Sequence, residues 1–532
     1  MQQKYRFLIL LLGGTLIVSH CTNPLKIDDT TVFRYNEYRN VTSLDPAFAR
    51  NPQNIWPINQ LFNGLVQLDS TLKVRPEIAK KWHLSDDGLT YTFDLRQDVY
   101  FHPSPHFGST KTRKVVAQDF VYSFNRLQDP QLASPGQWVM QQVNHYKALN
   151  DSVFQIQLKK PFPAFLGLLC MRYCAVVPKE AASLEDFRKY PVGTGPFYFK
   201  RWEENVKLVL RRNSNYFERD KNGHRLPYLE AIAIQFIPDI QSEFILFLQS
   251  KLDFINSIDA SYKDQLLTPE GTLRTKYKEQ INIHKGPYLN TEYLGFYLEA
   301  KQSPISDIRI REAINIGFNR ETMIAYLRNN IGTPANRGFI PAGLAGTAKK
   351  PFVYDPIKAR AMVEAYRKDK GIKPVIRIAT DANYVDLCEF LQSELSKIGL
   401  EIQIDIMPTA TLRQAKSNGK LEVFRASWIA DYPDAENYLS LFYSKNFSPH
   451  GPNYTHYSNS KFDALYQQAI QTKSASKRIQ LYRAMDSLAL ANFPIVPLYY
   501  DEAIRFTQKN VMGLEMNPIN LLVLKNVQKK PL

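Results

Sequence analysis

Residues 421–444 read LEVFRASWIADYPDAENYLSLFYS, and the fold turns on how this stretch is read. Leu421, Val423, Ala426, Trp428 and Ile429 are apolar enough for a strand buried on both faces. Turn material follows at once in Asp431, Pro433 and Asp434, then Glu436 and Asn437. After it Tyr438, Leu439, Leu441 and Phe442 recur at helical spacing. A buried strand running through a loop into a helix is an α/β unit, and ligands of open α/β sheets bind at the carboxyl ends of the strands. Asp431 stands at such an end. Arg425 precedes it on the same strand, roughly 20 Å away at about 3.3 Å per extended residue. The carboxylate could take a cation and the guanidinium an anion. Equally, Asp431 could cap the next helix while Arg425 faces solvent; the stretch alone leaves both open.

Working outward, a chain of 532 residues is too long for one core and predicts two or three domains. A hydrophobic content of 44% with 22% charged residues is ordinary for a globular protein. The formal charge of +16 raises the question of nucleic acid, anionic membranes or acidic ligands. The basic residues are scattered, however, in pairs such as Lys80-Lys81, Lys349-Lys350 and Lys529-Lys530. None of the denser groups carries the aromatic interleaving of a nucleic-acid module, so no nucleic-acid partner is expected.

The first 21 residues predict export. Lys4 and Arg6 precede an apolar run from Phe7 to Val18, and Ser19-His20-Cys21 follows. That is a basic n-region and an apolar h-region too short for a comfortable membrane span. Ile17 to Cys21 resembles a bacterial lipobox, which makes Cys21 the expected lipidation site, although His20 stands where a small residue is usual. Residues 22–30 then form a polar tether. Cys170, Cys174 and Cys388 are the other cysteines. The first two could pair, but no disulfide framework is indicated, and a lone C-x-x-x-C is a poor zinc signal.

Several blocks have clear local readings. Val32 to Tyr35 reads as a strand, Ile55 to Leu65 as a helix and Pro76 to Trp82 as a short helix. Ser85 to Gly88 is a hairpin turn, Leu89 to Arg96 alternates as a half-buried strand, and a second strand is expected around Val99 to Phe101. Val116 to Arg126 is an amphipathic helix with apolar residues at 117, 120, 121 and 124. Helix patterns at 356–368, 384–397, 461–472 and 475–491 alternate with strands at 374–380 and 400–406, as in a doubly wound unit.

The blocks SLDP (43–46), PEIAKKW (76–82), SDDGLTYTFDLRQDVYFH (85–102) and VAQDFVYSFNR (116–126) resemble the extracellular solute-binding proteins of family 5, the dipeptide and oligopeptide type. GTGPFYF (193–199), LRRNSNYF (210–217), IRIREAINIGFNRETMI (308–324), FIPAGL (339–344), YDPIKARAMVEAY (354–366) and FPIVPLYYDEAIRF (493–506) continue it in order. The loop after His102 departs, with a longer insert containing Pro and Lys where the family has a compact turn.

The resemblance implies an α/β, two-lobed periplasmic-binding-protein fold with mixed sheets and discontinuous lobes. Lobe 1 would comprise 31–55, 190–287 and 500–532, with an extra subdomain at 56–189, and lobe 2 would comprise 288–499. Chain crossings near Gly286-Pro287 and Pro497-Leu498 would form the hinge that closes round a ligand. It implies further that Asp431, in RASWIADY, meets the free α-ammonium of a peptide and that Arg425 can meet its carboxylate. The main chain at Ser427, Trp428 and Ile429, opposed by Asn40, Val41 and Thr42, would pair with the peptide backbone as added strands. The expected partners are short peptides, the membrane subunits of an ABC permease, and the membrane itself through the lipid on Cys21. The expected place is the outer face of the cytoplasmic membrane, in a periplasm or at the cell surface. A monomer without cofactor or metal is expected.

Other readings remain at this stage. The same scaffold carries nickel complexes, haem or oligosaccharides, although an Asp and Arg pair suits a zwitterion better than a sugar. A structural lipoprotein without ligand is another. An exported hydrolase would need a catalytic set, and Asp431 with Asp434 offers only two carboxylates in one turn. The sequence holds no G-x-S-x-G elbow, no H-E-x-x-H and no phosphate-binding Walker loop. His102 and His106 are separated by Pro103 and Pro105, which forbid the helix that would aim both at one metal.

Overall fold

The computed structural model describes residues 31–349 and 351–531. The proposed lipidation site Cys21 and the tether lie outside the described residues. The chain is built on an eleven-stranded mixed sheet. From one edge the order runs Glu401–Ile406, Val375–Thr380, Val423–Ile429, Ile281–Phe296, Ile495–Gln508, Phe254–Asn256, Val32–Asn36, Ala231–Gln235, Lys207–Arg212 and Phe197–Glu203. Thr333–Pro334 pairs with Ile495–Gln508 off this path. Parallel pairings join Val375–Thr380 to both its neighbours and Val32–Asn36 to both of its own.

Two long antiparallel strands, Ile281–Phe296 and Ile495–Gln508, hold the halves together. Their pairing is regular from Ile281↔Gln508 to Pro287↔Glu502, breaks, and resumes at Thr291↔Tyr500. On one side of the break the apolar cores gather around Phe247, Leu266, Phe506 and around Phe33, Tyr35, Phe254. On the other they gather around Leu294, Ile378, Leu391 and around Phe424, Tyr438, Phe442. The register shifts again between Glu292 and Tyr293, so the ribbon carries two irregular steps within a few residues, and bending concentrates there. On the first strand the earlier of the two steps follows Gly286-Pro287 directly. On the second strand the steps fall between Glu502 and Tyr500 and between Tyr499 and Pro497, the latter passing over Leu498 of the expected Pro497-Leu498 crossing.

A four-stranded antiparallel sheet in the order Ala79–Leu84, Thr90–Leu95, Val153–Leu158, Val143–Asn150 forms the inserted region. The helix Ala117–Gln128 lays Phe120 and Phe124 on Phe154, each pair with ring centroids 5.6 Å apart. Here two local expectations fail. Pro76 to Trp82 is not a helix but the end of one strand and most of another. The strand Thr90–Leu95 is hydrogen-bonded on both flanks, and the segment preceding the turn at Gly88 (φ +75°) supplies one of them. Around Val99 to Phe101 there is only a single bridge, Tyr100 to Lys114. The expected division after residue 55 also falls inside the unbroken helix Pro52–Leu61, and the inserted region shares one apolar core with the sheet edge at Phe33 and Phe197.

The segment Gly193-Thr194-Gly195 explains its own composition. A side-chain carbon at Gly193 would overlap the Leu61 carbonyl, and one at Gly195 the Gln60 carbonyl. Buried His102 locks the same segment. Gly193 N–H donates to its Nδ1 at 3.2 Å, so Nε2 donates to the Gly195 carbonyl at 3.0 Å. Burial lowers the pKa of that imidazole to about 4.

Candidate functional site

The strand Val423–Ile429 pairs along its whole length with Asn290–Phe296 on one flank. On the other, only Val423 and Phe424 pair, with Ile378 and Ala379. From Arg425 to Ile429 that second flank has no strand beside it among the described residues. Exposed, unpaired edges can template further strands, and the main chain of Ser427, Trp428 and Ile429 lies on this open flank.

Asp431 sits just past the end of this edge. Asn437 fixes the loop that carries it. The Asn437 Oδ1 accepts from Trp428 Nε1 at 2.9 Å and from the Asp431 amide at 3.3 Å. Its Nδ2 donates to Asp431 Oδ2 at 3.4 Å, a long contact. The Asp431 carboxylate has no cation beside it among the described residues. It is reached by solvent, yet the protein crowds it enough that dehydration raises its pKa, with Asn437 opposing weakly. Both hold for a group at the mouth of a recess: water touches it on one side and protein fills the rest. The opposite wall comes from the inserted region. Gly167 lies against Tyr432 and Pro433, and Tyr432 packs into the core that contains Phe165 and Leu168.

Arg425 is placed differently from the expectation. It is 6% exposed, and its Nη2 donates to Glu292 at 2.5 Å while Nη1 lies 3.7 Å from Asp381. The Tyr384 ring covers the guanidinium at 3.0 Å. A ligand carboxylate would have to compete with two carboxylates of the chain itself. Glu292 pairs in register with Ser427 across the strands, so the clamp is built from the same ribbon as the free edge. Burial raises the Glu292 pKa, with Arg425 opposing it.

Of the other three expected main-chain partners, Val41 is buried while Asn40 and Thr42 are exposed. The Thr42 amide donates to Asn54 Oδ1 at 3.0 Å and its carbonyl accepts from Arg188 at 3.3 Å. Thr42 is therefore occupied, contrary to the expectation that its main chain pairs with a guest. The Asn40 side chain bonds Asn205. The structure adds Asn437, Glu292 and Tyr173 to the site. Asn437 stood in the turn material of the sequence, but its role as loop anchor depends on Trp428 and could not be read from the turn. Glu292 is 133 residues from Arg425, and nothing local announces it.

The thiols of Cys170, Cys174 and Cys388 are free and buried, so the possible pairing of the first two is not realised. The Cys170 Sγ is instead 3.3 Å from the Leu166 carbonyl. Among the described residues no group of three His, Cys, Asp or Glu side chains is placed to hold a metal, and no helix is long and apolar enough to cross a membrane.

Comparison with known proteins follows this geometry. The sequence pattern of the bacterial extracellular solute-binding proteins, family 5 (middle), matches residues 73–449. The glutathione-binding protein GsiB of Escherichia coli K12 is 26% identical over 492 residues, covering 90% of this chain and 91% of that one. The dipeptide-binding protein of the same strain is 25% identical over 494 residues, covering 88% of each. Among solved structures, the periplasmic binding protein DppA of Helicobacter pylori, in complex with the peptide STSA, superposes with a TM-score of 0.77 at 23% identity. That match covers 94% of this chain and 98% of DppA, and it supports the same two-lobed α/β fold.

Proposed function

The chain belongs to the bacterial extracellular solute-binding proteins of family 5, and from that premise we propose that it captures short peptides with a free amino terminus and hands them to an ABC permease. The observation that carries the peptide reading is the Asp431 carboxylate, left without a cation beside an unpaired strand edge. A strand edge satisfies donors and acceptors that every peptide has, so affinity need not depend on sequence. A fixed carboxylate selects for the one positive charge every free peptide carries. The ribbon of Ile281–Phe296 and Ile495–Gln508, with its two closely spaced breaks in register, supports closure of one half upon the other. The proposed guest lies between Ser427–Ile429 and the Asn40–Val41 main chain. Arg425 enters this proposal as the partner of Glu292 that holds the edge strand, reachable by a guest carboxylate only in competition with Glu292.

We read the chain as a binding protein rather than an enzyme, in keeping with the binding proteins it resembles. Its basic and apolar leader supports export, and Cys21 supports tethering of a monomer by lipid outside the cytoplasmic membrane. The discontinuous lobes 31–55, 190–287 with 500–532, and 288–499, are the bodies proposed to close. The test is calorimetric titration of the purified protein with tri- to pentapeptides and their N-acetylated forms. Free peptides are expected to bind and acetylated ones to bind far more weakly; equal affinities would remove Asp431 from the mechanism.

A further inference from the structure

Beside the site, on the wall that carries Thr42, lies a recess of about 400 Å³ lined by Thr42, Phe48, Arg50, Asn54, Pro135 and Arg188, with Ser43 and Asn51 completing it. Its only charged lining residues are the two arginines. Neither Arg50 nor Arg188 has an ion-pair partner among the described residues. The acid that feels Arg188 is Glu204, which is exposed and already held by Lys189 at 2.7 Å. Arg188 is anchored by one bond to the Thr42 carbonyl at 3.3 Å, which leaves most of its fork of donors free. Two guanidinium groups in one hollow repel each other, and an anion between them relieves that repulsion.

Tyr173 lies next to the recess. That ring lies on the backbone of Gly136, where a side chain would overlap it, and Gly136 follows Pro135 of the recess. Its phenol is pushed up to about 12, first by burial, with Arg50 lowering it and Asp431 raising it. Tyr173 therefore feels both the Arg50 guanidinium and the Asp431 carboxylate. With Arg425 committed to Glu292, the recess offers two arginines that have no ion-pair partner among the described residues.

Resting on the peptide reading, we propose that this recess is an anion subsite in which Arg50 and Arg188 take a carboxylate of the guest. That carboxylate is its C-terminal group or an acidic side chain. A guanidinium fork matches a carboxylate with paired hydrogen bonds, so the subsite reads shape as well as charge.

The test compares Ala-Glu-Ala, Ala-Gln-Ala and the C-terminal amides of both, titrated calorimetrically into the parent protein and an R50Q/R188Q double variant. Both arginines are exposed, and an unchanged unfolding midpoint of the double variant shows that it folds. In the parent, removing the carboxylate that uses the subsite should weaken binding about tenfold. If amidation causes the loss, the C-terminus is the occupant; if Glu to Gln in the peptide causes it, the side chain is. In the double variant that gap should close, while amidated Ala-Gln-Ala binds as to the parent. A gap of unchanged size in the double variant overturns the subsite, as does no gap in the parent; in either case peptide binding itself still stands. Failure of all four peptides to bind the parent defeats the peptide reading, and the subsite falls with it.

Discussion

Replacing Asp431 by Asn separates the energetics of binding from those of folding. The substitution keeps shape and leaves Asn437 a polar neighbour, but removes the charge offered to a guest ammonium. A charge-assisted hydrogen bond in place is worth about 1.5–3 kcal/mol. Stranding the other charge of a buried pair costs about 3–5 kcal/mol. Asp431 is open to solvent in the unliganded chain and would be enclosed on the proposed closure, so a loss of about 2–4 kcal/mol is expected, or roughly 30- to 1000-fold in Kd. The unliganded protein should respond in the opposite sense. Dehydration raises the folded-state pKa of Asp431, so the contribution of its protonated form is fully present below the unfolded pKa and lost as pH rises through the folded one. At neutral pH the ionised carboxylate therefore detracts from stability, and Asp431→Asn should leave the unfolding midpoint unchanged or slightly raised. Binding by the parent should weaken as pH falls through that raised pKa, and should release a proton there. Calorimetry in two buffers of different ionisation heat, with thermal unfolding of the ligand-free forms, measures all three. An Asp431→Asn variant that binds free-amino peptides as tightly as the parent would refute the reasoning. So would one that loses stability and affinity together, since Asp431 would then be a structural cap.

Three other outcomes follow from buried charge. Glu292→Gln strands the Arg425 guanidinium with only Asp381 at 3.7 Å, so denaturant unfolding should show a loss of about 3 kcal/mol, at the low end for a broken buried pair. His102 is held neutral with its pKa lowered to about 4. Its contribution is present above the unfolded value near 6.5 and lost as pH falls toward 4, and His102→Gln should flatten that limb of a stability-versus-pH curve. Asp486 is fully buried and accepts from the Phe339 amide at 3.0 Å and the Ala348 amide at 2.8 Å, yet burial raises its pKa to about 7. Its contribution should decline as pH rises through about 7, measurable as a falling unfolding midpoint that Asp486→Asn abolishes.

What could be read in the sequence was what is local in the chain. The strand ending at Ile429 and the loop bearing Asp431 are contiguous, and their apolar run and turn residues announce them. The helix Ala117–Gln128 shows its buried face in the spacing of Ala117, Phe120 and Phe124. Pro76 to Trp82 misleads because its residues tolerate a helix, while the partner that makes it a strand, Thr90–Leu95, lies beyond a turn. Electrostatic pairing was the least visible level. An isolated Arg425 in a family-like motif reads as a ligand group, and only the register of Ser427 against Glu292 shows its charge already matched.

That pairing bears on how the whole cleft divides its labour. A site that binds zwitterions needs one anion and one cation left unsatisfied, each held by a scaffold stable enough to bear the cost. The anion is Asp431, on a loop pinned by Asn437 and Trp428. Arg425 cannot be the matching cation without stranding Glu292, which burial already strains toward protonation. In the proposed subsite the matching positive charge is that of Arg50 and Arg188. On that proposal a guest holding Asp431 with one end and these arginines with the other would draw the two halves together, so closure would be driven by guests charged at both ends. A peptide blocked at either end should bind to one wall and leave the halves apart.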